Sequence, residues 1–154
     1  MAVRKPMVLN AGELEQLQAG DRIQTPGVFE KLNANAGAIN IGQPVYVTAA
    51  GSVDLAKADA AATKDVLGLV ADTTILAANS GAIQSEGLIT ATTGEWDAVT
   101  GDTGGLTPGS WYYLNEGTAG MLTKTVPSTG WVCKVGQAVS TTELEISIKP
   151  TIKL

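Results

Sequence analysis

Turn residues recur along most of this chain, and their spacing constrains the fold more than any other feature of the sequence. From residue 28 onward, short apolar stretches are separated by Gly, Pro, Asn and Ser clusters roughly every 8–12 residues. Segment 143–148 alternates with period two, which places Leu144, Ile146 and Ile148 on one face of a strand. This pattern is typical of all-β proteins, so we expect a small β-barrel or β-sandwich.

The sequence also contains a loose internal duplication. Tyr46 aligns with Tyr112 at an offset of 66 residues, and Gly68 aligns with Gly136 at an offset of 68. Self-similarity of this kind marks repeated structural units. We therefore expect a β domain over residues 28–154 that is built from two similar units, at about 38–92 and 106–150.

Segment 55–64 disagrees with the β pattern because it is rich in alanine, the strongest helix former. Taken alone, it predicts a short helix. The duplication favours another interpretation, because the corresponding segment of the second copy contains Pro127 and Gly130, which forbid a regular helix. We expect a loop or a single helical turn at 55–64.

Residues 1–27 are expected to form an extended N-terminal arm. Met7, Val8 and Leu9 give a short apolar strand signal, and the Asn-Ala-Gly that follows is a turn signal. Residues 13–18 fit either a helical turn or a second short strand. The Pro-Gly pair at 26–27 ends the arm with a strong break.

The residue inventory excludes several kinds of catalytic and metal site. The chain has no histidine and one cysteine, so a zinc site, a Ser/His/Asp triad and a Cys/His pair are all excluded. Glu95, Asp97 and Asp102 carry oxygens that suit Ca²⁺, but their spacing lacks the Asp-x-Asp-x-Asp-Gly loop. The alternating pattern around Cys133 favours a core thiol over a reactive one. We predict no catalytic residue, no metal and no cofactor, and so a protein that is not an enzyme.

Charge is unevenly distributed along the chain. The net charge is −5, and residues 65–123 contain seven acids and no Lys or Arg. Nucleic-acid binding needs a basic stripe, and a membrane span needs about 20 consecutive apolar residues. Neither is present, so we expect neither a nucleic-acid nor a membrane partner. The acidic middle either keeps the surface soluble or faces solvent while the basic termini face a partner.

The consecutive aromatic residues Trp111, Tyr112 and Tyr113 indicate a possible contact surface. In a strand, Trp111 and Tyr113 share one face while Tyr112 points to the other. Two alternatives stay open. Both faces are buried between sheets, or one face is buried and the other contacts a subunit or partner, where Tyr and Trp are favoured.

Three segments of the second half, LTPGSWYYL at 106–114, GMLTKTVPSTG at 120–130 and VGQAVSTTEL at 135–144, carry a family resemblance. Together they resemble a β module that recurs in virion proteins of tailed bacteriophages, among them capsid decoration (cement) proteins and head or tail fibres. The first copy matches more weakly, mainly at 67–71. The arm, at 5–10 and 17–21, is similar to the N-terminal lead-in of such proteins.

The resemblance implies a structural decoration protein that binds the outside of the phage head. It would stabilise the capsid by bridging subunits of the major capsid protein, and it would bind copies of itself, as a homotrimer in preference to a dimer. It would be made in the host cytoplasm and reside on the outer capsid surface of the virion. The resemblance brings no catalytic residues.

The arm is the second expected contact, because an extended segment can add a strand to a sheet edge of a partner. An alternative function is a short head or tail fibre or receptor-binding protein whose aromatic residues contact host surface glycans. A third is a glycan-acting enzyme, which would need carboxylates clustered in a cleft. The candidate partner-binding residues are Arg4, Lys5, Met7, Val8, Leu9, Leu14, Leu17, Trp111 and Tyr113.

Overall fold

The computed structural model describes residues 7–10, 13–16 and 26–154, and it confirms the all-β class. The elements, in chain order, are β1 (Met7–Asn10), β2 (Glu13–Gln16), β3 (Val28–Leu32), β4 (Ile39–Asn40), β5 (Pro44–Val47), β6 (Val53–Leu55), β7 (Gly68–Val70), β8 (Thr74–Ile75), β9 (Ser80–Gln84), β10 (Gly87–Thr90), α1 (Thr93–Thr100), β11 (Trp111–Leu114), β12 (Leu122–Thr123), β13 (Trp131–Val132), β14 (Lys134–Ala138), β15 (Glu143–Ile146) and β16 (Ile152–Lys153).

Two five-stranded antiparallel sheets form the body of the molecule, and they share one strand order. Sheet 1 runs β3-β9-β7-β5-β6, and sheet 2 runs β10-β15-β14-β11-β12. In each sheet, the first strand along the chain lies at one edge, beside the last strand along the chain. Among the described residues, neither sheet closes into a barrel.

The boundary between the two sheets lies at residues 85–86, whereas the sequence alignment predicted units at about 38–92 and 106–150. Sheet 1 takes its strands from residues 28–84 and sheet 2 from 87–146. The apolar stretch at 82–92 contains parts of two strands, β9 and β10, which lie in different sheets. The chain leaves sheet 1 at Ser85, whose N–H donates to the carbonyl of Gly27. It enters sheet 2 at Gly87, which has a φ of 81°.

The hydrogen bonds of the two sheets correct the alignment by one residue. Gly42 donates to the carbonyl of Val70, and Gly109 donates to the carbonyl of Ala138. Each glycine has a φ of 80° and is the third residue of a turn closed by an N–H···O bond, a conformation that favours glycine. The offset is therefore 67 here, which makes Tyr113, rather than Tyr112, the counterpart of Tyr46.

The alanine-rich segment is a loop, as expected, and it lies against sheet 2. Ala56 and Ala58 are fully buried. The carbonyl of Ala56 accepts from Gly120 N–H at 2.8 Å, and Ala58 N–H donates to the carbonyl of Asn115 at 3.0 Å. Because alanine side chains are small, this loop approaches the turn after β11 closely.

The helix α1 was not expected from the sequence. Thr92 caps it, since its hydroxyl accepts from Glu95 N–H while the Glu95 carboxylate accepts from Thr92 N–H. Gly101 ends it in the left-handed conformation. Trp96 is fully buried and donates its indole N–H to the carbonyl of Thr142 at 2.9 Å, which ties the helix to sheet 2.

The buried apolar residues form two cores. The minor core lies on one face of sheet 1 under the ribbon β4–β8; its buried members are Ile39, Val45, Val53, Val70, Ile75 and Ile83. The main core lies between α1 and sheet 2 and also receives Leu69 from the opposite face of sheet 1. Leu144 and Ile146 point into it, and Ile148 packs against it, as the period-two pattern predicted.

Candidate partner-binding surface

The carboxylates considered for calcium are each engaged within the fold. Asp97 accepts from the N–H groups of Gly104 and Gly105, and Glu95 accepts from Thr92. Asp102 forms an ion pair with Lys124 at 3.1 Å, and its carboxylate raises the pKa of that lysine. Within the described ranges, no group of three or more acidic or cysteine side chains is placed to hold a metal ion.

The Cys133 thiol lies in the main core and has no exposed surface. Burial raises its pKa, because the thiolate would lose its hydration. The thiolate is the reactive form, so this environment keeps the sulfur inert. The sequence-based assignment of a core thiol is confirmed.

The aromatic strand β11 is buried on one face only. Tyr112 and Leu114 are fully buried in the main core, whereas Trp111 and Tyr113 are half-buried on the other side of sheet 2. The alternative in which both faces of β11 are buried between sheets is therefore wrong within this chain. The surface on that side, called here the outer face, comprises Leu88, Trp111, Tyr113, Lys134, Gln137 and Glu145.

Strand register brings the outer-face residues together. Leu88 pairs with Glu145, Glu145 with Gln137, and Gln137 with Trp111, so these four side chains form one row across the sheet. A bulge after Tyr112 then pairs Tyr113 with Lys134. The row begins at an exposed leucine and ends at an indole.

A cation lies directly over the indole of the outer face. Lys134 Nζ is 3.2 Å from the centroid of the Trp111 ring, a close cation–π contact. Gln137 donates its amide to the carbonyl of Gly109 at 2.9 Å, which anchors the neighbouring turn. The outer face therefore combines apolar area with a lysine held in place on an aromatic ring.

The corresponding face of sheet 1 shows how this kind of surface packs. Its equivalent row is Val28, Gln84, Leu69 and Pro44. Leu69 is fully buried and Pro44 is buried, because this face of sheet 1 lies against the rest of the molecule. The equivalent surface is therefore buried by packing in sheet 1 and partly exposed to solvent in sheet 2.

Only part of the predicted partner-binding set can be located. Arg4, Lys5 and Leu17 lie outside the described residues. Met7, Val8, Leu9 and Leu14 lie on the hairpin β1–β2, in which Met7 pairs with Gln16 and Asn10 with Glu13. The strand alternative for 13–16 is therefore confirmed. For this hairpin the description covers the backbone only.

Lys134 and Leu88 belong to the site but were not predicted. The signal for Lys134 was present, since it alternates with the buried Cys133 and Val135 and must point outward. Leu88 lies in a continuous apolar stretch, so nothing local in the sequence shows that its side chain faces away from the core.

A shallow groove of about 410 Å³ lies between the ribbon β4–β8 and the start of α1. Some of its polar side chains are engaged within the groove: the Asn40 side-chain oxygen accepts from the hydroxyl of Thr74, and the Gln43 side-chain oxygen accepts from the backbone N–H of Asn40. Among the described residues, no helix is long and apolar enough to span a membrane.

No protein-family model and no curated protein matches this chain.

Proposed function

We propose that this chain is a structural bacteriophage virion protein, a capsid decoration protein that binds the outside of the head. The proposal combines the sequence resemblance to phage β modules with an open, aromatic packing surface. It makes the major capsid protein and further copies of the same chain its partners, and the outer capsid surface its location. Bridging neighbouring capsid subunits would stabilise the shell.

The observation that supports the proposal most strongly is the state of the outer face. Its counterpart in sheet 1 is used for packing, whereas Trp111, Tyr113 and Leu88 remain at least partly exposed, Leu88 at 49%. Trp and Tyr side chains are enriched where proteins bind proteins. Contact with a capsid subunit would complete the burial that sheet 1 achieves within the chain.

The hairpin β1–β2 is the second proposed contact. Among the described residues, this hairpin pairs with no other strand. A strand of another chain could add to its edge, and backbone hydrogen bonds would then supply affinity without a preformed cleft. An arm that holds a capsid subunit and a face that lies on its neighbour would give the bridging arrangement.

The fibre alternative requires a different use of the same aromatics. A glycan ring stacks on the face of an indole, but the Lys134 ammonium already occupies one face of Trp111. A protein surface with an acidic or carbonyl-rich patch suits the lysine–indole pair better. Binding to host surface glycans is therefore measured alongside binding to heads.

The test compares two tryptophans that have similar surroundings. Trp131, on the ribbon β13–β16, is half-buried and lies under Lys64 and Lys153 at 4.7 and 5.7 Å, but it is not part of the outer face. Binding of the full-length protein to heads that lack it would be measured by co-sedimentation for Trp111→Ala and Trp131→Ala. A hot-spot tryptophan is worth 2 kcal/mol or more, so we expect about thirtyfold weaker binding for Trp111→Ala alone.

Two results would contradict the proposal. One is that neither the wild type nor the Trp131→Ala variant binds heads at all. The other is that wild-type protein binds immobilised host surface glycans and loses that binding in Trp111→Ala, which would favour the receptor-binding alternative.

A further inference from the structure

The outer face carries opposite charges on neighbouring strands. Glu145 lies on β15 and is exposed, and Lys134 lies on β14 with its ammonium over the ring of Trp111. Neither charge takes part in an ion pair with another residue that the structure describes. Both charges are therefore available to a partner of the opposite sign.

The two charges lie on opposite halves of the outer face. The row across the sheet runs from Leu88 on β10 through Glu145 and Gln137 to Trp111 on β11. The acidic half therefore consists of β10 and β15, and the half with the cation and the indole consists of β14 and β11. A surface with complementary halves on either side of its centre fits a second copy of itself.

A two-fold axis parallel to the strands brings these complementary halves together. The axis passes through the middle of the row, between Glu145 and Gln137. When two outer faces pack against each other about this axis, Leu88 of each copy meets Trp111 of the other. The Lys134 ammonium, which lies over Trp111, then stands beside Glu145 of the second copy. The strands of the two sheets are nearly aligned, as in a β-sandwich.

Sheet 1 shows that a face of this kind packs when another surface is present. Pro44 is the counterpart of Trp111, and it is buried. Tyr46 is the counterpart of Tyr113, and it packs against the main core. Among the described residues, no element covers the outer face of sheet 2 in the same way, and Leu88 is 49% exposed.

We propose that two copies of the protein associate through their outer faces, as a two-fold dimer in which Lys134 of each copy pairs with Glu145 of the other. Such a contact joins two copies and no third, so it favours a dimer over the homotrimer expected from the resemblance. The dimer rests on the self-association that the proposed function includes, and it gives that association a surface. One face cannot hold a second copy and a capsid subunit together, so the dimer is the form of the free protein.

Complementary charge reversals of the full chain test the pairing. Lys134→Glu and Glu145→Lys each place like charges together at both symmetry-related contacts. Sedimentation velocity is expected to show dimerisation of the wild type and at least about hundredfold weaker dimerisation of each variant. In a mixed dimer of the two variants, every contact again joins a lysine to a glutamate. The equimolar mixture is therefore expected to regain a one-to-one dimer.

Lys153→Glu is the matched control for charge reversal beside an indole. Lys153 is an exposed strand lysine whose Nζ lies 5.7 Å from the centroid of the Trp131 ring, on the ribbon β13–β16 and outside the outer face. It is expected to dimerise like the wild type. The inference is overturned by a wild type that stays monomeric at millimolar concentration, by reversals that dimerise like the wild type, or by a mixture that stays monomeric.

Co-sedimentation with heads is measured on the same proteins, so that the dimer and the decoration function fail separately. A wild type that is monomeric and still binds heads overturns the dimer alone. A wild type that dimerises as expected but does not bind heads supports the dimer and contradicts the decoration function.

Discussion

The two equivalent turn glycines give the sharpest prediction about the fold. Gly42 and Gly109 share a φ of 80° and the same turn hydrogen bonds. Their surroundings differ, because a Cβ on Gly42 would lie 2.8 Å from Cζ3 of Trp96, whereas a Cβ on Gly109 would meet nothing within 4 Å. Alanine at the two positions therefore carries the same backbone strain but a different steric cost.

The expected magnitudes follow from these two costs. A left-handed conformation costs a non-glycine residue about 1–2 kcal/mol, which we expect for Gly109→Ala. Overpacking a well-packed core costs about 1–3 kcal/mol more, and Trp96 is fully buried and hydrogen-bonded, so its ring has little room to move. Gly42→Ala should therefore destabilise the fold by about 2–5 kcal/mol.

Urea denaturation and thermal melting of both variants measure the difference. An excess of about 1–3 kcal/mol corresponds to a melting temperature roughly 2–12 °C lower for Gly42→Ala than for Gly109→Ala. In a Trp96→Leu background, which removes the clashing ring atoms, the excess should shrink. Equal destabilisation by the two alanines would refute the placement of Trp96 against the turn of sheet 1.

Three other predictions concern the cap, the thiol and the arm. Thr92→Ala removes the acceptor for Glu95 N–H and is expected to cost about 0.5–2 kcal/mol in chemical denaturation, while Thr93→Ala, one residue inside the helix, should cost less. Burial keeps the pKa of Cys133 higher in the folded than in the unfolded state, so the stability contributed by the neutral thiol is present at neutral pH and is lost in alkaline solution. Labelling of Cys133 by a thiol reagent should therefore be slow until the protein unfolds. Rapid labelling of the folded protein would contradict this. Deleting residues 1–24 is expected to abolish binding to heads while the far-UV circular dichroism retains its β signature, and unchanged binding would refute the role of the arm.

The β class and the faces of several strands could be predicted because they depend on local pattern. Alternation in segment 143–148 determines which side chains are buried, and turn residues mark where strands end. The loop at 55–64 was predictable for a different reason. Its alanines suit a helix, but the proline and glycine in the other copy show that this position of the unit tolerates no helix.

The helix α1 and the alignment offset were missed for identifiable reasons. The helix has eight residues, and only Trp96 and Val99 are buried, so its apolar period is too short to detect. Its capping residues, Thr92, Glu95 and Gly101, were the available signal. Either offset matches Tyr46 with a tyrosine, but an offset of 66 pairs Gly42 with Pro108. The structure pairs Gly42 with Gly109, because the left-handed turn position that both occupy favours glycine.

The candidate surface was half predictable. Alternation alone places Trp111 and Tyr113 on one face, and the structure confirms it. The ammonium of Lys134 over the Trp111 ring depends on the bulge after Tyr112, which changes the register of β14 against β11. A bulge of this kind is determined by neighbouring strands, so the sequence of either strand alone does not reveal it.

The number and location of copies on the virion test the central claim most directly. Quantitative mass spectrometry of purified particles, scaled to the major capsid protein, would count the chains, and immunogold labelling would locate them. The account predicts hundreds of copies distributed over the outer surface of the head. A dozen copies or fewer, confined to the tail or to one vertex, or absence from the particle, would contradict it.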